Sequence, residues 1–86
     1  MNKIRLDREG NSVKVGSHVK VIEIPDDLPK GLPDEDKSAI NAQVGNTLII
    51  EGFSENGFAE LEFFDDLGNL HTIWINPNCL ENIEKT

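Results

Sequence analysis

The sequence predicts one small, mainly β domain with a single short helix, and three observations carry that expectation. Short stretches of alternating, β-branched residues recur, notably His18-Val19-Lys20-Val21-Ile22-Glu23-Ile24 and Leu70-His71-Thr72-Ile73-Trp74-Ile75. Turn-forming clusters separate the later ones, Ser54-Glu55-Asn56-Gly57 and Asp65-Asp66-Leu67-Gly68-Asn69. A chain of 86 residues also has room for one hydrophobic core and no second.

Taken in order, residues 1–12 mix charges with Gly10-Asn11-Ser12 and read as a flexible arm, leaving 13–86 as the domain. Val13 and Val15 alternate before a turn at Gly16-Ser17, and 18–24 is the first strong strand. Pro25 ends it, because proline cannot donate to a ladder. The segment 25–34 holds three prolines and a glycine and reads as a rigid loop pinned by Leu28 and Leu32. A helix is expected over 35–44, with Asp34 as its cap and Glu35 and Asp36 in its first turn. Ile40 and Val44 share one face of that helix, and Gly45 supplies its stop. Strands follow at 47–53, 58–64 and 70–75, the first two joined by a hairpin with Asn56-Gly57 at its tip. Asn76-Pro77-Asn78-Cys79 reads as a short 3₁₀ turn and 80–83 as the last strand. Five short strands in meander order, a long first connection and a tight turn before the last strand are the layout of a five-stranded SH3-like barrel. Closing such a sheet on itself removes its exposed edges.

The stretch Gly16 to Ile83, about four-fifths of the chain, carries features of a known group of such barrels. They are Val15-Gly16-Ser17-His18-Val19-Lys20-Val21 opening the first strand, Val44-Gly45 before the second, and Leu80-Glu81-Asn82-Ile83 at the end. In these the chain resembles the variable chain of ferredoxin–thioredoxin reductase and the stromal barrel subunit of photosystem I. It is more similar still to short bacterial proteins of unassigned function with a Pro-rich loop, an acidic helix start and a strand like Gly57-Phe58-Ala59-Glu60-Leu61-Glu62-Phe63. The resemblance implies an accessory subunit that docks without catalytic groups of its own. The photosynthetic subunits dock mainly through basic residues, and this domain departs from them in being acidic.

Charge sets the excluded classes. The net charge is −8, divided as +3 over residues 1–20 and −11 over 21–86. Binding a phosphate backbone needs several Lys or Arg on one face, and residues 21–86 contain only Lys30, Lys37 and Lys85, widely spaced. Neither nucleic acid nor an anionic membrane is expected as a partner. Apolar runs such as Leu48-Ile49-Ile50 are far too short to span a bilayer, and no apolar stretch follows the first basic residues as in a signal peptide. The single Cys79 allows no intramolecular disulfide and suits a reducing cytoplasm.

Catalysis and cofactors are not expected. Asp26-Asp27, Asp34-Glu35-Asp36 and Asp65-Asp66 lack the ligand spacing of a calcium loop, and helix-start electrostatics and turn chemistry account for the last two. His18, His71 and Cys79 form a metal site only if the first and fourth strands meet, and no close ligand pair demands one. Ser17 and His18 are adjacent and so point to opposite faces of a strand, which disfavours a dyad.

The lead is a set of apolar residues on the wrong face. If Ala59, Leu61, Phe63, His71, Ile73 and Ile75 face inward, then Phe58, Phe64, Leu70 and Trp74 face outward, beside Glu60 and Glu62. Either residues 25–44 fold over this face through Leu28, Leu32, Ile40 and Val44, or it is an open recognition patch with an acidic rim. The expected role is a non-catalytic module that docks on a larger, unidentified protein, as a monomer or a weak homodimer, with Trp74 as its anchor.

Overall fold

The computed structural model describes residues 5–28 and 30–84. In chain order its elements are β1 (Arg5–Leu6), β2 (Ser12–Val13), β3 (His18–Val21), α1 (Asp34–Asn41), β4 (Thr47–Phe53), β5 (Ala59–Phe64), β6 (Leu70–Ile75), a 3₁₀ turn (Pro77–Cys79) and β7 (Leu80–Asn82). The last five strands form one antiparallel sheet in the order β6-β5-β4-β3-β7, and β1 pairs with β2. The mainly β class and the helix in the long connection between β3 and β4 agree with the sequence. Closure into a ring does not: among the described residues no ladder joins β6 to β7, so the sheet keeps two edges. The reason is the 3₁₀ turn, which carries the chain away from β6 and lays β7 along the free side of β3.

Alternation buries one face of the sheet. Val19, Val21, Ile50, Leu61, Ile75 and Leu80 are fully buried, joined by Ala59, Phe63, Ile73 and Cys79. Each large aliphatic side chain in this core contributes about 1.5–3 kcal/mol. β4 changes phase midway. Ile50 pairs with Leu61 and Gly52 with Glu60, so Glu51 is an extra residue in a β-bulge. Ahead of it Leu48 and Ile50 face the core, and beyond it Phe53 does so, opposite Ala59. Gly52 therefore lies on the outer face, where a Cβ would stand 3.2 Å from Glu60 Oε1.

Three hairpin turns share one design: Asp7-Arg8-Glu9-Gly10-Asn11, Ser54-Glu55-Asn56-Gly57-Phe58 and Asp65-Asp66-Leu67-Gly68-Asn69. In each, the first residue's N–H donates to the fifth residue's carbonyl, and the glycine N–H donates to the first residue's carbonyl. The first side chain accepts the fifth residue's N–H. Each glycine has φ near +85°, and no other described residue in these turns has positive φ. This is a tight turn followed by a glycine bulge, and in the turn expected over 54–57 the glycine takes the bulge position after Glu55 and Asn56.

Residues 5–12 are not a loose arm, whereas 1–4 lie outside the described residues. β1 and β2 make a hairpin whose Asp7 is buried and accepts the Asn82 N–H at 2.6 Å. The Arg8 N–H donates to the Leu80 carbonyl, and Asn82 Nδ2 to the Ser12 carbonyl. Arg5 lies 4.5 Å above the Phe53 ring, and Arg8 is ion-paired with Glu23.

The helix starts and ends earlier than expected. Pro33, with extended ψ, occupies the cap position, so Asp34 is already inside the helix with no side-chain cap bond. Asp34, Glu35 and Asp36 still face the positive end of its dipole. Beyond Asn41 the backbone tightens into turns through Gln43 to Ile40 and Val44 to Asn41. The first main strand ends at Val21 rather than Ile24, although the Ile22 N–H still reaches the Cys79 carbonyl. No helix among the described residues is long and apolar enough to cross a membrane.

Candidate functional site

The outer face of β5 and β6 is built from directly opposed pairs. Glu60 faces Trp74, Glu62 faces Thr72 and Phe64 faces Leu70, while Ala59, Leu61 and Phe63 oppose Ile75, Ile73 and His71 on the inner side. Phe64 is 68% exposed, Leu70 54%, Trp74 50% and Phe58, just ahead of β5, 38%. The three apolar residues of the strands and the two glutamates thus lie on one surface, and Phe58 stands at its end.

The segment 25–44 does not cover that surface. Ile40 is buried in the inner-face core, with Leu28 and Ala39 packed against it, and Val44 stays exposed. Amphipathic residues seek the largest apolar surface still open, and here the open mouth of the core outcompetes the outer face. The segment instead stands beside the β6 edge and leaves two grooves there. One, of about 440 Å³, runs between Leu28, Leu32, Asp36 and Ile40 on one wall and Leu70 to Trp74 on the other. The second, of about 350 Å³, continues past Pro25, Asp27 and Leu28 to Phe58, Trp74 and Cys79. Leu28 and Trp74 belong to both. No Lys or Arg is among the described residues lining either groove, whereas Asp27 and Asp36 are.

A third groove, of about 550 Å³, separates α1 from the Asp65 turn, with Phe64 and Leu67 on one side and Ala39 and Ala42 on the other. Four carboxylates line it, from Glu35, Asp36, Asp65 and Asp66. Leu67 is exposed at the tip of a polar turn, an anomaly readable from sequence that pattern reasoning passed over.

His71 links these elements. Its ring is stacked on Phe63, Nε2 lies 2.9 Å from Asp65 Oδ2, and Nδ1 lies 4.0 Å from Asp36 Oδ1 on α1. The His71 ring, and after it the Asn69 N–H, hold the Asp65 carboxyl at about 2, against an ordinary 3.8. The other candidate ligands lie elsewhere. His18 on β3 has the Glu84 carboxylate 2.9 Å from Nδ1, and its N–H holds that carboxyl below the ordinary range. Cys79, the last residue of the 3₁₀ turn, is buried, and that burial, with Glu23 nearby, pushes its thiol up. The strands of His18 and His71 are separated by β4 and β5. Among the described residues no three His, Cys, Asp or Glu side chains are grouped to hold a metal ion.

Compared with known proteins, the chain matches no family model, no curated protein and no solved structure.

Proposed function

We propose that this chain is a non-catalytic binding module, a five-stranded SH3-like barrel left open between β6 and β7, that docks on a larger protein through the outer face of β5 and β6. The order β6-β5-β4-β3-β7, the bulge that bends β4 and the 3₁₀ turn before the last strand all support the barrel reading. One observation carries the docking reading: Phe64, Leu70 and Trp74 remain half or more exposed on one continuous surface, although an amphipathic segment lies close enough to cover it. A folded domain rarely leaves so much large apolar surface wet without a partner. Glu60 and Glu62 beside it and Asp27 and Asp36 in the adjoining grooves select a partner with positive charge around an apolar centre. Two cations of the basic first twenty residues are engaged within the fold, Arg5 over Phe53 and Arg8 with Glu23. A cytoplasmic setting fits the free, buried Cys79.

The test compares proteins captured and cross-linked by the wild type with those captured by Trp74→Ala and Phe64→Ser. Both variants are expected to keep the wild-type circular dichroism spectrum and melting profile and to lose a partner whose cross-links map to β6. A partner retained by both folded variants overturns the proposal.

A further inference from the structure

The two edges of the sheet are treated differently, and the difference identifies how the face is used. On β7, the bonds from Ile22 to Cys79 and from Ile83 to His18 show that Cys79, Glu81 and Ile83 turn their backbone groups toward β3. Leu80 and Asn82 then point away, and the first hairpin meets them: the Arg8 N–H takes the Leu80 carbonyl, and the Asp7 carboxylate takes the Asn82 N–H. That edge is only three residues long, carries Glu81 and is covered.

The β6 edge is the opposite in each respect. The narrow pair at Asp65 and Asn69 sets the alternation of the β5–β6 ladder, so Phe63–His71, Leu61–Ile73 and Ala59–Ile75 are hydrogen-bonded pairs. The N–H and carbonyl groups of Leu70, Thr72 and Trp74 therefore point away from β5, and no backbone or side-chain partner for them is present among the described residues. The edge is six residues long and contains no Pro, Lys, Arg, Asp or Glu, the residues that ordinarily blunt such an edge. It opens onto the two grooves beside Leu28 and Trp74.

From this, and resting on the docking function proposed above, we infer that the β6 edge receives an extended, basic peptide segment of the partner as an added strand. Apolar residues at alternate positions pack inward against Leu28, Leu32 and Ile40. The intervening Lys or Arg residues lie over Trp74 and Leu70 on the outer face, toward Glu60 and Glu62. Backbone bonds to Leu70, Thr72 and Trp74 supply the register. A second copy of this chain is the poorer occupant, because it brings its own carboxylates to the same rim.

The probe is a capped hexapeptide alternating Lys and Val, with a Glu and Val version and a backbone N-methylated Lys and Val version as controls. Binding is followed by Trp74 emission and by amide hydrogen exchange. With the Lys and Val peptide at about ten times its Kd, exchange at Leu70, Thr72 and Trp74 is expected to slow about tenfold. The Glu and Val peptide and the N-methylated peptide are expected not to bind, and Thr72→Pro, which removes only an outward N–H, is expected to fold and to lose the peptide. Binding of the N-methylated peptide equal to the parent, with unchanged amides, overturns strand addition and leaves the docking function standing. Failure of every peptide to bind overturns the basic strand, while capture lost in Trp74→Ala still upholds docking on the face. Protection of the same three amides by protein concentration alone, with a dimer in sedimentation, makes the occupant a second copy and overturns the inference.

Discussion

The Asp7 turn and the Asp65 turn use the same five-residue design and put its central carboxylate to different ends. In both, one oxygen accepts two turn N–H groups, from Glu9 and Asn11 or from Leu67 and Asn69, at 2.8–2.9 Å. The second oxygen distinguishes them. At Asp7 it accepts a backbone N–H of β7, from Asn82. At Asp65 it meets a side chain, the His71 ring. The first turn thus fastens two distant parts of the chain together through a backbone group. The second ties its turn to the ring of His71 on β6, beside α1 and the grooves. One local motif has been used once as a staple and once as a joint.

Substitution separates the two uses. Asp7→Ala removes a buried carboxylate and leaves the Asn82 N–H and two turn N–H groups without their acceptor, and should cost about 3 kcal/mol in urea unfolding. For a domain with total stability of about 5–15 kcal/mol that is a large fraction. Asp65→Ala is expected to move the midpoint less, because its neighbours can turn to water. Gly10→Ala and Gly68→Ala test the shared backbone. Neither added Cβ meets an atom within 4 Å, but both glycines have φ near +85°, so each variant should lose about 1 kcal/mol and the two losses should match. Unequal losses would mean that the turns are not equivalent.

Acid sharpens the contrast further. Asp65 ionises at about 2 in the folded chain, below its ordinary 3.8, so its contribution is complete above about pH 4 and is lost as pH falls toward 2. Asp7 acts in the same direction: burial raises its carboxyl, but N–H groups from Asn82, Asn11 and Glu9 outweigh that and hold it below its ordinary value. Asp65→Asn should therefore flatten the stability–pH curve between pH 4 and 2 only in part, the remaining slope coming from the other lowered carboxyls, Asp7 and Glu84. An unchanged curve would remove Asp65 from the acid response. The smallest effect is local. In His71→Ala, carboxyl resonances should show Asp65 titrating closer to 3.8 while Asp7 stays where it was.

What could be read from the sequence follows the reach of the signal. The faces of β5 and β6 were legible because strict alternation over six residues leaves one register that buries Leu61, Ile73 and Ile75. Strands of two residues carry no period, so the pairing of Arg5–Leu6 with Ser12–Val13 was silent, and Asp7 finds its partner 75 positions away. The bulge at Glu51 reverses inside and outside within one strand, and its only mark in the sequence is Gly52, a glycine inside a strand pattern. The direction in which 25–44 packs was equally hidden: Leu28 and Ile40 announce an apolar face, and only the three-dimensional mouth of the core says what it meets. The outer patch was visible as a set of residues, but the open edge beside it depends on hydrogen-bond alternation and on what covers β7.

The covered β7 edge also limits how copies of the chain could assemble edge to edge. A sheet with two free edges can add strands at both and grow without end, whereas this one has a single acceptor, because Asp7 and Arg8 already occupy the other. If whole chains paired through β6, the assembly would therefore stop at one closed pair, whereas an added peptide would carry an outer edge of its own. Opening the first hairpin would give the sheet a second acceptor and turn a terminating contact into a propagating one.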